Sequence, residues 1–317
     1  HQEPADKFNW TKLPNATPFA STVTGVKSFT VTTAAGVTRR FLLASDGNIT
    51  TVFCADGDEA WHAATPNFNH PLAADAYRSA VVKHDTLFVC EHGTVMATTD
   101  GNQWAQQCTG ADVTRLIAAN PVRLYAYNAQ GAMLSSDDSG KTWKAASIDE
   151  SASLLPNGEI AYATLPLNTN ANAFRTLLIG SVPEASTTAF SIWGKIDEGD
   201  AYSENQPWMF YDHNTLNRHE LSLMQNFSAF TYDGKIMMVG NEDRIYLPYF
   251  YGSRDGGITW EADTVITSPL GFFVTGPYTV SVDKDHFIWF VSGKTGETWR
   301  GRINRLGWKK EQYEYYE

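Results

Sequence analysis

Short apolar runs recur along the whole chain and predict β-strands. The runs SAVVK (79–83), TLFVC (86–90) and TVMAT (94–98) follow one another with only two or three residues between them. Gly, Asp and Asn separate such runs, and these residues favour tight turns. No segment keeps an apolar period of 3.6 residues over three turns, which an amphipathic helix would require. The pattern therefore predicts an all-β chain of short antiparallel strands.

Tryptophans mark a longer period in the same pattern. Seven of them open short polar-alternating segments at spacings of 39 to 65 residues: Trp10, Trp61, Trp104, Trp143, Trp208, Trp260 and Trp308. A four-stranded blade of a β-propeller takes about 40–50 residues. We therefore predict a β-propeller in which three strands precede each Trp and the Trp opens the fourth. Six blades are expected, with seven as the alternative if the 65-residue interval contains a divergent blade.

The repeat also predicts the domain organisation. We expect one propeller domain over residues 1–317, in which residues 8–14 form an extra strand that joins the last blade and closes the ring. The approximate blade boundaries are 20–65, 77–108, 113–148, 152–212, 224–263 and 277–312.

A turn motif carries the most specific signal. SSDDSGKTW (135–143) returns as SRDGGITW (253–260), with the same five residue types at the same offsets: Ser136, Asp138, Gly140, Thr142 and Trp143, and Ser253, Asp255, Gly257, Thr259 and Trp260. TTDGNQW (98–104) keeps Asp100 and Trp104. CADGDEAW (54–61) keeps Asp56 and Trp61, but has Cys54 and Asp58 where Ser and Gly are expected.

The chemistry of these residues predicts a structural role for the motif. A carboxylate in a turn accepts hydrogen bonds from nearby backbone N–H groups. A Ser or Thr hydroxyl closes the turn through local hydrogen bonds. Glycine supplies a backbone conformation with positive φ. The Trp buries a large ring between blades. We therefore expect Asp138 and Asp255 to stabilise hairpins and to have no catalytic or metal-binding role.

The motif resembles the Asp-box, or BNR repeat, of sialidases and other β-propellers. The resemblance implies turns between the third and fourth strands, on the face away from catalytic centres. Over about residues 8–310 the chain is similar to secreted or lipid-anchored propeller proteins of Bacteroidales-type bacteria, and to non-catalytic propellers that act as assembly factors. This implies a location outside the cytoplasm, in the periplasm or at the cell surface, with any lipid anchor on a segment preceding this chain.

Composition excludes several classes of partner. The formal charge of −11 argues against nucleic acid or an anionic membrane surface. No apolar run is long enough for a transmembrane helix. Cys54, Cys90 and Cys108 show no metal-binding spacing, so we expect free thiols, with one disulfide as the alternative. We expect a monomer without a metal or cofactor.

Enzyme signatures are weak in this chain. GxSxG, HExxH and phosphate-loop patterns do not occur. A sialidase would need an arginine cluster and a Tyr nucleophile, and the family's Arg-Ile-Pro-like motif has no match in TRRFLLAS (38–45). We therefore predict a non-enzymatic binding module for a glycan or protein partner. A sialidase-like glycoside hydrolase and an assembly factor are the alternatives.

Propellers bind ligands on the face that carries the loops between blades, which directs the search for a site. Alignment of four blades places Arg78, Arg115, Phe227 and Tyr278 near the start of the innermost strands, where they would ring the channel mouth and suit a carboxylate, a sugar or an acidic peptide. The long loops 62–77 and 209–223 add further candidates that overhang the same face: His70, Tyr211, His213 and Arg218. In the alternative reading, the arginines pair with acids such as Asp75 and Asp112, and the aromatic rings pack.

Overall fold

A computed structural model describes residues 7–14, 18–149, 155–167, 172–182, 189–199, 205–211, 227–241, 248–270 and 276–304. The strands of these residues form six antiparallel sheets arranged as the blades of a propeller. The predicted all-β, six-bladed fold with four-stranded blades is confirmed. The interval of 65 residues holds one blade, so the seven-bladed alternative is wrong.

The first strand of the chain is β1 (Lys7–Lys12). Each of the three blades that follow it begins with its innermost strand. The first blade consists of β2 (Gly25–Thr32), β3 (Thr38–Ser45), β4 (Ile49–Asp56) and β5 (His62–Ala63), with β6 (Leu72–Ala73) paired to β4. A 3-10 turn (Ala76–Arg78) precedes the second blade, which consists of β7 (Ala80–Lys83), β8 (Thr86–Glu91), β9 (Thr94–Thr98) and β10 (Trp104–Cys108). The third blade consists of β11 (Arg115–Ala119), β12 (Leu124–Tyr127), β13 (Met133–Ser136) and β14 (Lys144–Ala145).

The remaining blades repeat this order. The fourth consists of β15 (Ile160–Pro166), β16 (Ala173–Val182), β17 (Ala189–Glu198) and β18 (Met209–Phe210). The fifth consists of β19 (Phe227–Tyr232), β20 (Lys235–Asn241), β21 (Pro248–Ser253) and β22 (Glu261–Ala262). The sixth consists of β23 (Tyr278–Val282), β24 (Ile288–Ser292) and β25 (Thr298–Asn304). No helix in the described residues has the length and apolarity to span a membrane.

β1 supplies the outer strand of the sixth blade and so closes the ring. It pairs antiparallel with β25, from Lys7 opposite Asn304 to Lys12 opposite Trp299. The ring of Phe8 lies over Gly301, where an added Cβ would stand 2.2 Å from the Phe8 ring. Both ends of the described chain thus meet in one sheet, as predicted for the closing strand.

Hydroxyl side chains join most neighbouring innermost strands. Ser28 of β2 bonds Thr279 of β23 through its backbone N–H and its hydroxyl, and the Val280 N–H donates to Ser228 Oγ of β19. Thr164 of β15 accepts from Thr231 at its carbonyl and donates from its hydroxyl to Ala119 of β11. Leu116 N–H of β11 donates to Ser79 Oγ beside β7. These bonds satisfy edge groups that strands at a central channel would otherwise leave unpaired.

Three turns between the third and fourth strands share one hydrogen-bond pattern; we call residues 98–104, 136–143 and 253–260 the aspartate turns. In the second of them, the Asp138 carboxylate accepts from the Ser136 hydroxyl at 2.8 Å, the Thr142 hydroxyl at 2.6 Å and two backbone N–H groups. The Trp143 indole donates to the Gly140 carbonyl at 3.0 Å, and Gly140 has φ of 85°. These bonds hold the pKa of Asp138 low, at about 2, although burial acts in the opposite direction.

The other two aspartate turns repeat this arrangement. Asp255 accepts from Ser253, Thr259 and the Ile258 and Thr259 N–H groups. Asp100 accepts from the Thr98 hydroxyl and from the N–H groups of Asn102 and Gln103, both at 2.8 Å. Each turn therefore uses its carboxylate within its own hairpin.

The first blade differs, and the prediction of a fourth copy at Asp56 and Trp61 is wrong. The Asp56 carboxylate pairs with the Arg39 guanidinium at 2.7 and 3.0 Å, and the Trp61 indole donates to Thr298 of the sixth blade. Cys54 offers no hydroxyl to the carboxylate, and Asp58 stands where the other turns have glycine. Trp61 instead covers Arg40, whose guanidinium carbon lies 4.5 Å from its ring centroid.

All three cysteines are free, which excludes the disulfide alternative. Cys54 and Cys90 are buried, and burial raises the pKa of each thiol to about 12. Cys108 is partly exposed. At neutral pH the two buried thiols are therefore protonated packing groups.

Candidate functional site

The six innermost strands surround a central channel with a cavity volume of about 550 Å³. It extends from the top face, which carries the connections between blades, to the bottom face, which carries the turns from first to second strands. Lys27 and Arg78 line it near the top, and Asp85, Asp283 and His286 line it near the bottom. This volume lies in the range typical of small-molecule sites.

Charged side chains from three blades meet at the top mouth. Arg78 ends the 3-10 turn before β7, and its Nη2 donates to Glu159 Oε1 at 2.5 Å. Arg115 begins β11 and donates to three backbone carbonyls, those of Arg78, Asn157 and Gly158, at 2.8 to 3.3 Å. Burial is the largest influence on Arg115 and lowers its pKa, against the opposing charge of Glu159. Arg78 therefore faces an acid, although not Asp75, whereas Arg115 is held by carbonyl oxygens.

Lys27 of β2 is a third cation at this mouth. Its side chain crosses to the opposite side of the ring, where Nζ donates to the carbonyls of Ile160 at 2.8 Å and Phe227 at 3.4 Å. Burial lowers the pKa of the amine to about 8; Glu159 opposes this shift, and Arg115 and Arg78 add to it. Three cations and the single carboxylate of Glu159 give the mouth an excess of two positive charges. The chain as a whole has a formal charge of −11.

The predicted aromatic pair does not face the channel. Tyr278 is 2% exposed and stacks on Phe290 at 5.1 Å between ring centroids, in the apolar cluster between the fifth and sixth blades. Phe227 is 4% exposed and packs between the fourth and fifth blades, with Lys27 Nζ 5.9 Å from its ring. Both residues begin innermost strands as expected, but their side chains point between blades. The prediction that their rings line the mouth is wrong.

The predicted loop residues do not converge on the mouth either. His70 contacts Glu91 at 2.7 Å, at the end of β8, and stacks near Phe68. Tyr211 lies against Gly194 of the fourth blade, with its hydroxyl 3.4 Å from Arg175. His213 and Arg218 lie outside the described residues. Of the predicted binding residues, the structure brings together Arg78 and Arg115.

Lys27 was not among the predicted residues because the alignment used four blades and did not include the first. The turn between the first two strands of that blade, over residues 33–37, is longer than those of the second and fifth blades and is closed by hydrogen bonds between Thr33 and Val37. A lone Lys among the apolar and hydroxyl residues of GVKSFTVT was the available signal.

A family profile described as the DUF6242 beta propeller domain matches residues 4–311, which is nearly the whole chain. The chain belongs to this family. The match agrees with the six blades closed by β1. No curated protein sequence matches the chain.

Solved propellers resemble this DUF6242 domain in fold at low identity. A fucose-specific lectin from Aleuria aurantia is 11% identical with a TM-score of 0.53, over 91% of this chain and 96% of the lectin. YCF48 bound to D1 peptide is 16% identical with a TM-score of 0.47, over 94% and 96%. A Trichoderma reesei protein of carbohydrate-active enzyme family AA12 is 11% identical with a TM-score of 0.49, over 95% and 96%. At 11% identity, the likeness to the lectin shows the fold alone.

Proposed function

We propose that this propeller is a non-enzymatic binding module that takes an acidic ligand at the top mouth of its channel. One observation carries the proposal: Lys27, Arg78 and Arg115 surround a single carboxylate, that of Glu159. Arginine offers paired N–H groups that match a carboxylate, and partial burial strengthens such contacts. A carboxylate-bearing glycan or peptide therefore fits this site better than a neutral one.

The charge contrast supports the choice of ligand. The rest of the chain repels anions at long range, so a binding site for an anion requires local cations, and these are found at the mouth. Arg115 is held by three carbonyls and Arg78 by Glu159 and the Tyr77 hydroxyl, which fixes both guanidiniums while leaving N–H groups unused. The fucose-specific lectin shares the fold, and its sugar specificity is not carried over.

The test compares a double variant, Arg78→Gln with Arg115→Gln, against an exposed control, Arg302→Gln. Wild type and control are expected to bind acidic glycans or acidic peptides on an array, and the double variant at least about tenfold more weakly. Binding should also weaken as salt rises. Equal binding by all three proteins would overturn the proposal. Release of sugar from a bound glycan would favour a glycoside hydrolase instead.

We also propose that the aspartate turns are Asp-boxes with a structural role. What supports this is that each carboxylate accepts bonds from its own turn, on the bottom face, away from the mouth. Asp138→Ala is then expected to leave ligand binding unchanged in the same assay. A loss of binding in a folded Asp138→Ala protein would contradict this role.

We further propose that the protein works outside the cytoplasm. The proposal rests on the resemblance to secreted and lipid-anchored propellers. Fractionation of cells that make the full natural protein tests it: recovery in the periplasmic or surface fraction is expected, and recovery in the cytoplasmic fraction would overturn it.

A further inference from the structure

The channel widens into a slot between the first and second blades. In the described residues, one hydrogen bond joins the β2 strand to the second blade's inner strand and turn, from Thr32 N–H to Asp85 Oδ1 near the bottom face. Higher up, the Val82 N–H donates at 2.9 Å to the hydroxyl of Tyr162, which lies on β15 of the fourth blade. The strands β2 and β7 approach each other less closely than any other two neighbouring innermost strands.

Apolar side chains line this slot. Phe29 and Val31 of β2 face Ala80 and Val82 of β7, and the ring of Tyr77 covers the upper end by packing on Gly25. Phe29 and Val82 are only half-buried, although they pack against the apolar cluster between the two blades. An apolar surface left open inside a channel favours an apolar guest, because contact removes that surface from water.

The cations lie directly above this slot. Lys27 precedes Phe29 by two residues on β2 and points to the same side of the strand, and Arg78 lies two residues before Ala80. The Lys27 ammonium uses two of its three N–H donors on the Ile160 and Phe227 carbonyls. Its third donor is left for a ligand without any change in those bonds.

We propose that the channel binds a small carboxylic acid with an apolar tail, with the carboxylate at Lys27, Arg78 and Arg115 and the tail in the slot between β2 and β7. This deepens the proposed function and rests on it. The volume of about 550 Å³ suits a whole small molecule. A free acid fits better than a chain end, because the charged head lies at the rim and the tail points inward.

The channel's hydroxyl groups argue against a sugar at this depth. Thr30, Thr164 and Thr231 each donate to a backbone carbonyl of a neighbouring blade. Sugar hydroxyls placed against the Phe29 ring would lose water without gaining partners there, which is costly. Beside Val82, the Tyr162 hydroxyl already accepts from the Val82 N–H. The slot therefore selects for apolar tails.

The test measures binding of acetate, hexanoate, octanoate and decanoate to the full chain by titration calorimetry, with glucuronate as a polar carboxylate. Affinity is expected to rise about fourfold per added methylene, the value for burying one such group, until the slot is full. Glucuronate should bind no more tightly than acetate. Affinity independent of tail length would overturn the inference.

Two phenylalanines provide a matched pair of variants. Phe29→Ala removes a wall of the slot, whereas Phe68→Ala removes a ring that packs on the same apolar cluster outside the channel. We expect Phe29→Ala to weaken decanoate binding about tenfold and acetate binding little, and Phe68→Ala to leave both unchanged. Equal effects of the two variants on decanoate would overturn the inference.

A third variant separates this inference from the function on which it rests. Arg78→Gln should weaken all carboxylates alike, whatever the tail. If glucuronate and decanoate bind equally well and Arg78→Gln weakens both, the acidic site stands and the slot proposal fails. If no carboxylate binds, both proposals fail.

Discussion

Two seams between neighbouring blades are built on opposite chemistry. Between the third and fourth blades, the buried Asp197 carboxylate accepts from Arg123 and from the Tyr125 hydroxyl, both at 2.5 Å, and lies 3.3 Å from Lys195. Asn120 adds a fourth bond at 2.8 Å. Between the first and second blades, the innermost strands stand apart and expose Phe29 and Val82 to the channel.

The difference separates fixed parts of the ring from the part that can accept a guest. A buried ionic network is stable only when every member keeps its partners, so it holds the third and fourth blades in one arrangement. An apolar slot has no such requirement, and can be filled by water or by an apolar group. The seam between the first and second blades is still closed on its outer side, where Gly101 packs against the Cys54 sulfur and Trp104 is buried.

The largest expected effect on stability follows from disrupting the ionic network around Asp197, between the third and fourth blades. Asp197→Ala removes the buried acid that Arg123 and Lys195 share, and Arg123 keeps its pair with the more exposed Asp137. The free energy of unfolding is expected to fall by about 3–5 kcal/mol, the usual result of removing one partner of a buried pair. Urea denaturation of the variant and the wild type measures the difference.

A surface ion pair gives the control for that experiment. Lys284 and Asp285 lie 3.3 Å apart with exposed side chains, so Asp285→Ala should change the free energy of unfolding by less than about 1 kcal/mol. Similar losses from Asp197→Ala and Asp285→Ala would show that the buried network does not hold the seam.

The fold could be predicted from the sequence because the tryptophans and the turn motif act between residues that are close together in the chain. Five of the tryptophans open the outer strand of a blade or directly precede it: Trp61, Trp104, Trp143, Trp208 and Trp260. The turn motif requires only residues within eight positions. Asp56 shows the limit of such signals: its carboxylate is taken by Arg39, which is distant in sequence and adjacent only through strand pairing.

The candidate site was less accessible to sequence reasoning. Position along the strand was predictable for Arg78 and Arg115, since both lie where an innermost strand begins. The direction of each side chain was not, since the rings of Tyr278 and Phe227 pack between blades while Arg78 and Arg115 lie at the mouth. The slot exists because β2 and β7 stand apart. No pattern of residues in the sequence indicates the distance between two strands.

An effect of intermediate size on the free energy of unfolding is expected at the outer side of the seam between the first and second blades. Asp100→Ala removes the acceptor of two backbone N–H groups in the turn that seals the first and second blades. We expect a loss of about 1–2 kcal/mol in the free energy of unfolding. Asp56→Ala, on the facing turn, breaks only a partly exposed pair with Arg39 and should cost less than about 1 kcal/mol.

Acid should remove the contribution of Asp100. Its hydrogen bonds lower its pKa below the usual range, against the effect of burial. The stabilisation is therefore present above the unfolded carboxyl value, about pH 4, and is lost as the pH falls further. The stability difference between wild type and Asp100→Ala should shrink in urea titrations at pH 3. A difference that grows in acid would contradict this assignment.

The smallest expected effect concerns Lys27 at the top of the open seam. Its pKa is lowered to about 8 by burial, with Glu159 opposing and Arg115 and Arg78 adding to the shift, whereas the unfolded chain titrates near 10.5. Between these values the unfolded state binds more protons, so stability rises with pH over this window. Relative to Lys27→Met, the wild type should gain about 1 kcal/mol in the free energy of unfolding between pH 7 and 9.5, as measured by urea denaturation. The comparison with Lys27→Met cancels the other groups that titrate in this range. A wild type that loses stability relative to Lys27→Met over the same range would mean that the folded protein favours the charged amine, and that the mouth holds Lys27 as a paired cation.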